Sequence, residues 1–215
     1  MSFRNVDSIV TAKTYTDGLN KKWPARAAMM TTIANRIREQ HADKQVENPV
    51  VLELCCGGGV LAQYLLATFP QITYTGIDFS PHLLDLARQT TSSYQDRVTF
   101  LEADLNRDWW LNQVSTYSQP TFDAIVSMQA IHDLGDESKV SRIYSKAYML
   151  LKQWGVFINA DLIVEPGDEL PNNPGRLTIL RHLKLLGDWG YWDKQCILED
   201  GGFGCIVGTK FVAKG

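Results

Sequence analysis

The sequence predicts an α/β fold, a parallel sheet covered by helices on both faces. Three observations carry that expectation. Short apolar, β-branched runs alternate with helix-length amphipathic segments from Val50 to Asp161. The first run, Val50-Val51-Leu52-Glu53-Leu54, ends at Cys55-Cys56-Gly57-Gly58-Gly59 and leads into a helix-like segment. Strong helix starts recur, notably Ser80 as an N-cap with Pro81 at the first helical position, and Asp136 before Glu137. Parallel strands need crossover helices, and right-handed crossovers bury both faces of the sheet.

Taken in order, Ala27, Met30, Ile33, Ala34 and Ile37 recur at helical spacing, so Trp23–Gln40 is expected to be a helix. The polar start Met1–Asp7 and the polar break Asp43–Pro49 flank this N-terminal part. Strands are expected at Val50–Leu54, Ile72–Ile77, Val98–Glu102, Phe122–Ser127 and Val156–Asp161. Helices fall between them at Val60–Thr68, Pro81–Thr90, near Asp108–Val114, and at Glu137–Leu151. Beyond Asp161 the pattern changes. Val164–Gly175 is a Pro/Gly/Asn-rich loop, Arg176–Leu186 reads as helical, and Gln195–Asp200 as a further helical piece. In the tail, Phe203–Val212, two short β-rich runs flank Gly208-Thr209, read as a two-residue hairpin turn.

At 215 residues the chain fits one domain with a sizeable core, with a helical cap over 1–48, a ligand-binding core over 49–161 and a substrate-side segment over 162–215. A formal charge of −3 without a Lys/Arg-dense segment argues against a nucleic-acid partner. No apolar run is long enough to span a bilayer, and the polar start lacks a secretory h-region, so a cytoplasmic location is expected. Cys55, Cys56, Cys196 and Cys205 read as reduced thiols, and the four histidines are too scattered for a metal site.

A strand that stops at glycines and feeds a helix N-terminus brings backbone close to a ligand. Gly57 and Gly59, with Ala62 as third small position, fit a dinucleotide fingerprint, and Asp78 lies where a ribose-binding carboxylate belongs. Glu53 fits that reading poorly, because a carboxylate at the loop mouth repels a pyrophosphate. It suits a ligand with a positive amino group. Asp104, at the third strand end, adds a group within reach of an adenine amine.

These residues resemble the class I S-adenosylmethionine-dependent methyltransferases of the small bacterial type. Glu53–Gly59 resembles the first motif of that family, with Cys55 in a place usually held by glycine. Gly76–Leu84 resembles the second, Phe100–Leu105 the adenine-contacting segment, and Phe122–Leu134 the fourth-strand motif. Leu150–Gly155 stands at the Lys-Pro-Gly-Gly turn, from which Gln153 and Trp154 depart. The resemblance covers about Val50 to Asp161. It implies a three-layer Rossmann-like sandwich of about seven strands with an antiparallel C-terminal strand, and S-adenosyl-L-methionine as cofactor.

It also implies residue roles. Glu53 would hold the methionine amino group, Cys55, Gly57 and Gly59 would give backbone access, and Asp78 would accept the ribose hydroxyls. Phe79 and Leu105 would flank adenine, and Asp104 would take its amine. Ser127 and Met128 would border the sulfonium. His132 and Asp133 are the candidates for general base chemistry. Tyr15, Trp23, His182 and Trp189 are candidate acceptor contacts. The expected activity is methyl transfer to oxygen or nitrogen of a small-molecule acceptor by a monomer or homodimer. A non-catalytic S-adenosylmethionine-binding protein and a NAD(P)-dependent oxidoreductase are the alternatives.

Overall fold

The structure, a computed structural model, describes residues 6–44, 46–114, 121–168 and 171–212. Parts of three expected segments, Met1–Asp7, Asp43–Pro49 and Val164–Gly175, therefore lie outside the described residues. Two helices come first, α1 (Ile9–Lys22) and α2 (Arg26–Lys44), followed by strand–helix alternation: β1 (Val50–Leu54), α3 (Val60–Thr68), β2 (Thr73–Asp78), α4 (Pro81–Thr90), β3 (Val98–Glu102), the short α5 (Leu111–Val114), β4 (Phe122–Met128), α6 (Glu137–Leu150) and β5 (Leu151–Leu162). Helix α7 (Ile179–Asp188) and the hairpin β6 (Tyr191–Asp200) and β7 (Phe203–Lys210) complete the chain.

The seven strands form one sheet in the order β3-β2-β1-β4-β5-β7-β6. Strands β1 to β5 pair in parallel, and β7 runs antiparallel to both of its neighbours. The expected antiparallel C-terminal strand is thus present. Alternation along the strands divides the core in two. Leu52, Leu54, Ile125 and Phe157 face α6 and α7, packing on Tyr144, Ile143 and Leu186. Val51, Tyr74, Val126 and Ile158 face α2 and α3, packing on Met29, Ile33 and Leu65. Helix, sheet and helix make the three layers.

Four features differ from the expected elements. Helix α1 was not anticipated as an element of its own. It starts at a Ser8/Thr11 capping box but buries only Ala12 and Thr16, so little apolar periodicity marks it. Gln195–Asp200 is not helical but belongs to edge strand β6, whose pairing with β7 shifts register twice, which erases the two-residue alternation. The hairpin turn is not at Gly208-Thr209 but at Gly201-Gly202, both in the left-handed region (φ 56° and 80°). Gly208 sits inside β7, where an added Cβ would lie 3.0 Å from the Tyr191 ring. Strand β5 also begins earlier than expected, at Leu151. The Gln153-Trp154 position is a local irregularity inside it, with Trp154 at φ 66°.

Candidate active site

Reversal of strand order between β1 and β4 opens a crevice beyond the carboxyl ends of the strands, the usual ligand position in such sheets. A cavity of about 620 Å³ occupies it, roofed by α1. Glu53, Cys55, Gly57, Asp78, Phe79, Asp104, Met128, Asp133 and Tyr15 all line this cavity. Two non-glycine residues in the left-handed region, Cys55 and Gln129 (each φ 58°), end neighbouring strands on its wall. Such strain persists where surrounding structure enforces it, and it gathers at ligand sites.

The glycine loop is tied down by a carboxylate. Asp78 accepts hydrogen bonds from the backbone N–H of Gly57 (2.9 Å) and of Ser80 (3.0 Å). Burial raises its pKa, and these backbone donors oppose the rise. The two glycines differ in duty. At Gly57 an added Cβ would meet nothing within 4 Å, whereas at Gly59, the left-handed N-cap of α3, it would lie 2.9 Å from the Ala87 Cα of α4. Gly59 therefore serves helix packing and does not line the cavity. Gly59→Ala is expected to cost about 2–3 kcal/mol in urea unfolding, from overpacking plus left-handed strain. Gly57→Ala meets no neighbour but shares the left-handed strain (φ 53°), so it should cost about 1–2 kcal/mol and in addition weaken ligand binding.

Glu53 is almost fully buried and accepts a hydrogen bond from the Tyr74 hydroxyl. Burial pushes its pKa up to about 8, against the Tyr74 hydrogen bond and the positive charge of Arg26. Arg26 was not picked out by the sequence reading. Among the described residues it is the only basic side chain on the cavity wall. Its Nε donates to Asn20 Oδ1 (3.0 Å) and its Nη1 to Gln129 Oε1 (2.5 Å). A hint was present: an arginine opening a helix opposes the macrodipole, so it needs another reason to be there.

At the far end of the wall, His132 is buried behind Asp133. Its Nδ1 lies 2.6 Å from Asp161 Oδ1, its backbone N–H donates to Asp161 Oδ2 (2.9 Å), and its Nε2 lies 3.4 Å from Asp133 Oδ2. Burial disfavours the imidazolium, but the charge and hydrogen bond of Asp161 outweigh it and hold the His132 pKa above its ordinary value. Asp161 is lowered despite its burial, because His132 faces it. Asp133, not His132, reaches the cavity wall. Tyr15 is pushed up to about 12 by burial, with Asp133 adding to the shift. Burial also raises Cys55 and Cys56 well above the usual thiol range, so both are neutral and poor nucleophiles.

Several expected contacts lie elsewhere. Leu105 is buried in the core under α6, while its neighbours Asp104 and Asn106 line the cavity. Ser127 is fully buried, off the cavity wall. Trp23 packs edge-on against Phe203 (5.8 Å). His182 is buried against the Tyr144 hydroxyl (2.6 Å), and burial drives its pKa down to about 4. Trp189 donates to Ser141 Oγ on α6 (2.9 Å). Trp23, His182 and Trp189 are thus structural neighbours of helices and strands, not part of the cavity. Aromatic density suggested them, but it cannot distinguish a lid from packing.

Residues 51–155, just under half of the chain, match the model of a methyltransferase domain. Over that stretch the chain is similar to methyltransferases, in sequence and in fold. It is 31% identical over 100 residues to a malonyl-[acyl-carrier protein] O-methyltransferase of Paenibacillus sp. (strain JDR-2), covering 46% of this chain and 34% of that one. The match thus spans about a third of that relative's length. Among solved structures, an O-methyltransferase family protein from Burkholderia thailandensis superposes with a TM-score of 0.68 at 16% identity, covering 94% of this chain and 60% of that one. Human N-acetylserotonin methyltransferase, solved in complex with S-adenosylmethionine, gives 0.60 at 20% identity, covering 77% and 48%. These two structures share the fold. No helix among the described residues is long and apolar enough to cross a membrane.

Proposed function

We propose that this chain binds S-adenosylmethionine in the crevice and transfers its methyl group to an oxygen or nitrogen of a small-molecule acceptor. The observation that carries this reading is that Glu53, Gly57 and Asp78 line one cavity, with the Gly57 N–H donating to Asp78. Glu53 takes the ammonium through a charge-assisted hydrogen bond, and Arg26 beside it suits the carboxylate of the same amino-acid end. Asp78 has acceptor capacity left, beside its backbone bonds, for the ribose hydroxyls. Phe79 walls the adenine, Asp104 accepts from its amine, and Met128 borders the reacting methyl.

When bound, the cofactor supplies an electrophilic methyl whose bond to sulfur breaks, with its electron pair, as the bond to the acceptor forms. The chain's share is alignment, exclusion of water under α1, and removal of the acceptor proton. Asp133 at the wall, with His132 behind it held by Asp161, is the unit placed to take that proton. The neutral cysteines take no part. Acceptor choice falls to Tyr15, Gln129 and Leu134, which also line the cavity.

Incubation of the protein with methyl-labelled S-adenosylmethionine and fractionated small metabolites tests this. Label should move to one fraction, with S-adenosylhomocysteine formed in equal amount. A protein that binds the cofactor yet labels no fraction would be a non-catalytic binder instead.

A further inference from the structure

We infer that Tyr74 is the positioning residue for Glu53, and through it the group by which the site reads the amino-acid end of its cofactor. This rests on the reading of Glu53 given above. Tyr74 lies on β2, directly beside Val51 of β1 and on the same face as Glu53 two residues further on. Gly76, opposite Glu53 in the register, has no side chain to stand between them. Tyr74 is fully buried in the same apolar cluster as Met29, Ile33 and Leu65, which fixes the position of its hydroxyl. From there it donates to Glu53 Oε2, leaving Glu53 on the cavity wall. A buried phenol needs such a partner, and a buried carboxylate needs donors to remain charged.

Around Glu53 stand Tyr74 and Asp78 from β2, Arg26 from α2, and the thiols of Cys55 and Cys56 after β1. Burial and Asp78 disfavour the carboxylate; Tyr74 and Arg26 favour it. Arg26 is already engaged by Asn20 and Gln129. Tyr74 is thus the neutral, rigid donor that favours the charged form of Glu53 and aims its carboxyl group. The hydroxyl acts on the ammonium only through Glu53 and has no part in holding the adenosine.

Tyr74→Phe removes the hydroxyl and keeps the ring. Calorimetry with S-adenosylhomocysteine and with 5′-methylthioadenosine, which lacks the amino-acid end, reads the effect. S-adenosylhomocysteine affinity at pH 7 should fall about ten-fold or more, as expected for losing a hydrogen bond to a charged group. Its rise with pH, as Glu53 loses its proton, should move to higher pH than in the wild type. Affinity for 5′-methylthioadenosine should not change, which also reports that the variant is folded. Glu53→Gln is the companion variant. If it weakens S-adenosylhomocysteine selectively while Tyr74→Phe leaves affinity and pH profile unchanged, the role of Tyr74 is overturned and that of Glu53 stands. If neither variant separates the two ligands, the reading of Glu53 itself is wrong.

Discussion

Asp78→Ala is expected to weaken S-adenosylhomocysteine binding by about 100-fold or more. Asp78 does two things at once. It presents a buried carboxylate to the cavity, and it accepts the N–H groups of Gly57 and Ser80. Hydrogen bonds to charged groups are worth about 1.5–3 kcal/mol each, so losing a bidentate partner for two ribose hydroxyls accounts for that factor. Freeing the Gly57 N–H adds to it by loosening the loop that approaches the ligand. Asp78→Asn should be nearly as damaging, because an amide NH2 must then face a ribose hydroxyl or a backbone N–H. Titration calorimetry measures both. A change of less than about three-fold in either variant would show that the ribose lies elsewhere.

Asp161→Ala is expected to be the most destabilising single change in the site, by about 3–5 kcal/mol, the usual effect of removing one partner of a buried pair. Asp161 accepts from the His132 backbone and side chain and from its own neighbour Leu162 (2.9 Å), so three donors lose their acceptor. The effect depends on pH in a defined way. The Asp161 pKa is lowered from 3.8, so its contribution is present above that value and is lost as pH falls through the lower folded value. The His132 pKa is raised from 6.5, so its contribution is complete below 6.5 and is lost as pH rises through the higher folded value. The gap in unfolding free energy between wild type and Asp161→Ala should therefore be widest from about pH 4 to 6.5 and narrower at pH 9. Urea unfolding across that range checks it. Gly175 gives an independent handle on the same loop, since a Cβ there would lie 2.4 Å from the His132 carbonyl oxygen.

The central sheet was legible because β1, β4 and most of β5 are buried on both faces and read as apolar runs with helix starts between them. The rule that such sheets bind ligands beyond the carboxyl ends of their strands then puts Glu53, Asp78, Asp104 and Asp133 around one crevice. What was not legible has physical causes. Edge strand β6 is solvent-exposed along much of its length and bulged, so no period of two survives. Tyr74 reads as one more apolar strand residue, because its hydroxyl partner is 21 positions away in sequence. Arg26 reaches the cavity only through the packing of α2 against the sheet. Gly59 carries the same fingerprint as Gly57, yet its reason is the closeness of α4, which a spacing rule cannot tell from ligand contact.

The most direct test of the account is calorimetry of the wild-type protein with S-adenosylmethionine, S-adenosylhomocysteine and NAD(H). One site per chain is expected for the first two and none for the third, with S-adenosylmethionine protecting the fold against thermal unfolding. Folded protein that binds neither sulfur ligand, or that binds NAD(H) in their place, would contradict it.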